Sequence, residues 1–289
     1  MALQHWVSGL LFLVLLAVYK RAFYKRIAQP PPPQAQAIAP QKPEPEPPKQ
    51  PIDAFLVTDF EATCEQGSNF DHPSEIIVVE FPVVLMRWKD RIGGRASRLE
   101  VVAEHHTFVR PSWRPTLSDF CTELTSITQS DVDNAPEFPA ALRSVRAFLV
   151  EQGVIEKTGK KRLKAVWCSD GPWDLRDMLV KQCFISKMPV PDWLSGDFVD
   201  IRKVVKQNLA SKPKRDKLSI SFNIAAQLEA LELEPFVGKQ HRGIDDARNI
   251  ARILSKLATE VSLLANTNVN LRRRWPWMGK SGEILHDKV

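Results

Sequence analysis

The sequence predicts an α/β domain built on a mixed β-sheet over residues 53–265, on the strength of three observations. Short, apolar, β-branched runs at 54–57, 75–86, 101–109 and 164–169 have the length and composition of strands. Stretches with apolar residues at helical spacing, 117–127, 138–151, 172–184 and 220–231, follow the third strand and flank the fourth. Acidic residues stand just past the ends of two strands, Asp59 after the first and Asp170 after the fourth, where α/β sheets meet their ligands.

The chain begins with an uncharged apolar stretch, 6–19, followed at once by Lys20, Arg21, Lys25 and Arg26. A cleavable signal peptide carries its charge before the apolar region and a small-residue site after it. This order is reversed here, so residues 1–28 are expected to form an uncleaved membrane anchor with the basic flank and the rest of the chain in the cytosol. Either the endoplasmic reticulum or the mitochondrial outer membrane would accept it. Residues 29–52 are Pro-rich and lack the apolar content for a core, which predicts an extended spacer that could also offer a PxxP ligand to a Pro-rich-motif binding protein.

Within the domain, the first three strands read as an antiparallel meander turned at Gly93–Gly94, after which helices lead to the fourth. Asp59 and Glu61 at i and i+2 share one face of a strand. They either close the strand into a turn or ligate a hard divalent cation, Mg²⁺ or Mn²⁺, that offsets their repulsion. Asp170–Gly171 is compatible with a turn, or with a third acid joining the first two. A helix starting near Ile244 places Asp246 in its first turn, with His241 in the loop just before. An imidazole there is suited either to a solvated role or to general-base chemistry.

Composition narrows the classes further. The four cysteines show no C-x-x-C, which argues against zinc and disulfides. The net charge of +6 resides largely in the anchor flank and in Arg272–Arg274, so the globular body is close to neutral and is not a nucleic-acid-coating surface. A polyanion would have to be gripped locally, through metal and basic stretches such as 157–164 and 212–217. Residues 266–289 read as a basic, Trp-containing tail beyond the domain.

Taken together, Asp59-Phe60-Glu61-Ala62-Thr63-Cys64, Asp170-Gly171 with Trp173-Asp174, and His241-Arg242-Gly243-Ile244-Asp245-Asp246 resemble the DEDDh 3′→5′ exonucleases of the RNase T superfamily. More narrowly they resemble the exoribonuclease group that includes the 3′-histone-mRNA exonuclease and the enhancer-of-RNAi nuclease. The resemblance spans residues 55–258, with Ser126 standing where the family has glycine. It implies an RNase H-like mixed five-stranded sheet flanked by helices. It also implies two Mg²⁺ (or Mn²⁺) ions held by Asp59, Glu61, Asp170 and Asp246, with His241 as the base for water. Ala62, Leu124, Thr125, Trp173 and His241 would contact the nucleotide, and RNA 3′ ends, single-stranded or with a short overhang, would be the substrate. Asp246, and not Asp245, takes the ligand position by the family's spacing alone. A DNA-directed exonuclease and a non-catalytic RNA 3′-end binding module remain alternatives at this stage.

Overall fold

The computed structural model describes residues 17–21, 46–67, 78–212 and 222–285. The chain divides into two units, Met1–Pro45 and Glu46–Val289. In the first, residues 17–21 are helical, and the rest of the expected anchor, with residues 22–45, lies outside the described residues. Among the described residues no helix is long and apolar enough to cross a membrane.

The second unit is a mixed sheet between two helical layers. Its strands are β1 (Ala54–Val57), β2 (Glu61–Ala62), β3 (Val78–Trp88), β4 (Leu99–Phe108), β5 (Ala165–Ser169), β6 (Asp197–Asp200) and β7 (Thr267–Asn268). β1, β5 and β6 run parallel, β3 is antiparallel to β1, and β4 is antiparallel to β3. The five longer strands give the expected mixed sheet. β2 and β7 add two residues each, β2 along β3 beyond the end of β1 and β7 along β6. β1 sits in the middle with all four residues buried, and its side chains alternate between two cores. Ala54 and Leu56 pack with Phe81, Val83 and Phe138, whereas Phe55 and Val57 pack with Val84, Val199 and Leu254.

The helices are α1 (Asp119–Thr125), α2 (Gln129–Asp133), α3 (Phe138–Glu151), α4 (Leu179–Ile185), α5 (Ile201–Ala210), α6 (Ile224–Ala230) and α7 (Gly243–Ala258). α3 and α4 cover one face of the sheet; α5, α6 and α7 cover the other. Where one helix is expected over 117–127, α1 ends at Ser126 and α2 follows. Ser126 takes a left-handed φ of 63°, the conformation that makes glycine the usual residue there. The expected helix at 172–184 opens as a π-helical turn, Asp174–Met178, before continuing as α4. β6, four residues long, carries too short an apolar signal to be read from periodicity, whereas α5, with Ile201, Val204, Val205 and Leu209 at helical spacing, is an element outside those expected although its pattern is in the sequence. The basic stretch 212–217 lies outside the described residues except for Lys212, which pairs with Glu260 at 2.6 Å.

Two expected boundaries are corrected. The domain begins before residue 53: the Gln50 side chain is buried, donates to the carbonyls of Ala258 and Val261, and accepts the N–H of Leu263. At the other end, residues 266–285 are not a detached tail. Trp275, Trp277 and Met278 are buried in the core, and the Lys181 ammonium lies 4.5 Å from the Trp275 ring centre. Large aromatic surfaces gain most from burial, so the tryptophans draw the basic segment onto the domain.

Candidate active site

The site forms where β1 and β5 end. β1 is followed by Thr58, whose N–H bonds the Cys168 carbonyl (2.9 Å) and whose hydroxyl bonds the Pro82 carbonyl (2.8 Å). Phe60 then turns inward against Phe81, with ring centres 4.6 Å apart, and its N–H donates to the Asp174 carboxylate at 2.7 Å. With Phe60 pinned, Asp59 and Glu61 on either side of it are left facing the cleft. The two acids are therefore not on one continuous strand, because the chain leaves the sheet at Val57 and rejoins it at Glu61.

The third carboxylate comes from α7. Gly243 lets this helix start hard against the sheet, since a Cβ there would lie 2.4 Å from the Asp59 carbonyl oxygen. Asp246, in the first turn, thereby meets the other two. Carboxylate oxygens of Asp59, Glu61 and Asp246 all lie within 4.8 Å of one another. Asp245 points elsewhere, accepting the Lys239 N–H at 3.0 Å and pairing with Arg248 at 3.3 Å. Asp170 lines the same cleft, yet its oxygens are taken by Arg202 and by the Gln227 side-chain amide, both at 2.6 Å.

His241 lies at the rim, exposed, with a left-handed φ of 61°. Its loop is fastened to α7 by Asn249, whose side chain bonds both the N–H and the carbonyl of Val237, and by Arg252, which donates to the carbonyls of Glu234 and Pro235. Partial burial lowers the imidazole's pKa, so the ring is a neutral base at neutral pH. Trp173 is 36% exposed and lines the cleft, with the Arg202 guanidinium 4.8 Å from its ring centre.

Ala62, Leu124 and Thr125 are not brought into the cleft lining. Ala62 is buried, and the Thr125 hydroxyl is used in closing α1, donating to the Cys121 carbonyl (2.8 Å) and accepting the Ile127 N–H (3.1 Å). Two residues that sequence reasoning left without a role stand out instead. Asp174 is a further acid in the cleft, and Glu80 is a fully buried carboxylate on β3 facing the start of α7. The signal for Glu80 was a charge in an otherwise unbroken apolar strand.

The electrostatics of the cleft are those of crowded acids. Burial, then repulsion from Asp174, Asp246, Glu61 and Asp170, pushes Asp59 well above the usual carboxylate range. Glu61 is raised in the same way by burial and by Asp246 and Glu80. Burial lifts Asp246 to about 7 against the opposing N–H groups of Arg242 and His241, and lifts Asp174 to about 7 against that of Phe60. One oxygen of Asp246, Oδ2, is buried without a hydrogen-bond partner. Crowded oxygens with an unused acceptor fit a hard divalent cation, which would replace mutual repulsion by attraction.

A mixed sheet with acids converging at the carboxyl ends of parallel strands, opposite an acid from a helix packed on one face, defines an RNase H-like nuclease. The exonuclease family model matches residues 56–254. The 3′–5′ exonuclease eri1 of Schizosaccharomyces pombe is 38% identical over 245 residues, covering 80% of this chain and 74% of that protein. The human 3′–5′ exoribonuclease 1 is 35% identical over 205 residues, 71% of this chain and 52% of its own length. The crystallographic structure of the nuclease domain of 3′hExo, a DEDDh family member, bound to rAMP, superposes with a TM-score of 0.63 at 30% identity, over 75% of this chain and 98% of that domain. The chain belongs to the DEDDh 3′–5′ exonucleases of the ERI1/3′hExo type.

Proposed function

We propose that this protein is a two-metal 3′→5′ exoribonuclease that removes nucleoside 5′-monophosphates from RNA 3′ ends. The observation that carries the reading is the convergence of Asp59, Glu61 and Asp246 around an unpartnered Asp246 oxygen. These three would hold one Mg²⁺ or Mn²⁺, Asp59 would reach a second, and Asp170 would contribute directly or through water. Bound there, the ions supply Lewis-acid stabilisation of the attacking and leaving oxygens of an in-line displacement.

The remaining steps belong to the protein. His241 accepts the proton of the attacking water on a ring nitrogen, for which its lowered pKa keeps it ready. Trp173, exposed on the cleft wall, offers a face on which the terminal base stacks. Arg202 holds Asp170 and adds positive charge to the cleft, where a phosphate would be attracted.

Matched single-stranded RNA and DNA oligonucleotides, with Mg²⁺, Mn²⁺ or a chelator, test the reading. RNA shortening from the 3′ end to 5′-monophosphates is the expected result. DNA preference would make the protein a DNA exonuclease, and 3′-end binding without cleavage with either metal would make it a binding module.

For location we propose a membrane-tethered enzyme with its catalytic domain in the cytosol, at the endoplasmic reticulum or the mitochondrial outer membrane. Support comes from the apolar stretch 6–19 and the basic residues after it. The Pro-rich stretch would serve as spacer and as a site for a Pro-rich-motif binding protein. Deleting residues 1–29 should release active enzyme from membranes; a truncated protein that still fractionates with them contradicts the anchor.

A further inference from the structure

The cysteines divide into two kinds. Cys168 and Cys183 are buried within the two cores, and burial holds their thiols above the usual range, Cys183 at about 12. Cys64 and Cys121 instead meet in a small cluster beside the site, formed with Val79, Leu117, Ile127 and Val132. Cys64 is half-buried and reachable from solvent; Cys121 is fully buried on α1. Cys64 lies close enough for its thiol and main-chain N–H to lower the Cys121 thiol pKa.

Ser118 clamps the two backbones together. Its hydroxyl donates to the Cys64 carbonyl at 2.6 Å and accepts the Cys121 N–H at 3.0 Å. The Cys121 thiol also faces the Ala62 carbonyl at 3.7 Å. Ala62 and Glu61 are the whole of β2, so the pair is three residues from a carboxylate of the cleft.

We propose that Cys64 and Cys121 are a reversible dithiol–disulfide site, in which oxidation by a peroxide joins the two sulfurs and weakens divalent-cation binding at Glu61. The second half rests on the metal-dependent reading above. The neighbouring Cys64 brings the Cys121 thiol down to about 7, so a large share of the buried sulfur is thiolate at neutral pH. The accessible sulfur reacts first. Cys64, passing its proton to Cys121, attacks one peroxide oxygen; the S–O bond forms, the O–O bond breaks, and the hydroxide takes that proton back from Cys121 and leaves as water. The Cys121 thiolate then attacks the Cys64 sulfur, the S–S bond forms and the S–O bond breaks, releasing a second water. The two sulfurs supply the two electrons that reduce the peroxide, and a dithiol reductant reverses the exchange.

Joining the sulfurs brings them to about 2.05 Å. That draws the segment after β2 toward α1 and shifts the Cys121 sulfur that lies 3.7 Å from the Ala62 carbonyl. A two-residue strand resists little, so Glu61 is re-aimed. In a reducing compartment the pair rests as dithiol and closes only on oxidant exposure.

The test treats the full-length protein with stoichiometric hydrogen peroxide and maps its peptides under non-reducing conditions. A Cys64–Cys121 cross-link is expected, with an intact-mass loss of about 2 Da reversed by dithiothreitol. The Mg²⁺ concentration for half-maximal thermal stabilisation should rise several-fold in the oxidised form, in step with that for RNA hydrolysis. Cys64→Ser should show neither change and keep normal activity in reductant. A Cys64 sulfinic acid with Cys121 still alkylatable would overturn the pair, and a cross-link with an unaltered Mg²⁺ requirement would overturn the coupling. Protein that cross-links but hydrolyses no RNA and binds no Mg²⁺ would overturn both the metal-dependent reading and the coupling, with the pair itself upheld.

Discussion

The Glu80 carboxylate accepts the main-chain N–H of Gly243 at 3.0 Å and that of Ile244 at 3.3 Å, capping α7 from a neighbouring strand. A negative charge placed on the first unpaired N–H groups of a helix satisfies them and complements the helix dipole. Glu80 is wholly buried, and His106 Nε2 meets its Oε1, the oxygen that also accepts the Ile244 N–H, at 2.7 Å. Because Asp246 rides in the first turn of α7 and His241 in the loop before it, this cap sets the depth at which both enter the cleft. Glu80→Ala should destabilise the domain by about 1–3 kcal/mol, the usual cost of leaving buried donors unmade. It should lower hydrolysis further than stability alone explains. Glu80→Gln, which retains an acceptor, should recover most of the stability. Denaturant unfolding beside hydrolysis rates would decide, and an Ala variant with normal values on both would refute the account.

Gly243 is the partner of that contact. A methyl group at this position would sit 2.4 Å from the Asp59 carbonyl oxygen, which is main chain and cannot rotate away. Gly243→Ala must therefore push α7 off the sheet, at a cost of about 1–3 kcal/mol. Asp246 would retreat from Asp59 and Glu61, so the Mg²⁺ concentration needed for activity should rise. A titration indistinguishable from wild type would show that the helix has slack the structure does not suggest.

The central strand and α7 were legible because their signals are local: an unbroken apolar run for one, helical spacing after a glycine for the other. Asp59, Glu61, Asp170, Asp246 and His241 were found through ordered motifs, and the structure gathers them at one cleft. What was not legible is contact across the sheet. Nothing in the spacing of Glu80 says that it reaches residue 243, and nothing in Ala62 or Thr125 says that each is spent on packing. The π-helical turn and the burial of Trp275 and Trp277 are also outcomes of tertiary packing.

Removing metal should leave a fold that weakens as pH rises. Asp246 and Asp174 are raised to about 7, and Asp59 and Glu61 are raised as well. Below about pH 4 these groups are protonated in both states and burial of the acids costs little. As pH climbs, the unfolded chain loses protons that the fold retains, so stability falls through about 7, where Asp246 and Asp174 ionise, and goes on falling until Asp59 and Glu61 have ionised as well. Glu260, held down to about 2 by Lys212, Lys256 and Asn208 against the effect of burial, contributes in the opposite sense and at lower pH. The comparison that isolates the site is wild type against Asp246→Asn in chelator, where the variant should lose part of the decline. Added Mg²⁺ should raise the melting temperature more at pH 8 than at pH 5. Equal shifts at the two pH values would mean that the cation binds elsewhere.

His241 separates chemistry from binding. Its loop is fixed by Asn249 and Arg252 and not by the imidazole, so His241→Ala should leave the cleft and the carboxylates of Asp59, Glu61, Asp170 and Asp246 in place. RNA 3′ ends and Mg²⁺ should bind with close to normal affinity while hydrolysis falls by roughly 10²–10⁴, the range for loss of a general base. Since burial lowers the pKa of the ring, its neutral form should already dominate at a pH where a free histidine is half protonated. The single-turnover rate, measured with saturating metal, should accordingly rise with pH and level off on the acid side of about 6.5. The variant's residual rate should lack that inflection and climb instead with hydroxide. A variant that cuts at the normal rate would remove His241 from the mechanism, and one that loses Mg²⁺ binding would make it a ligand.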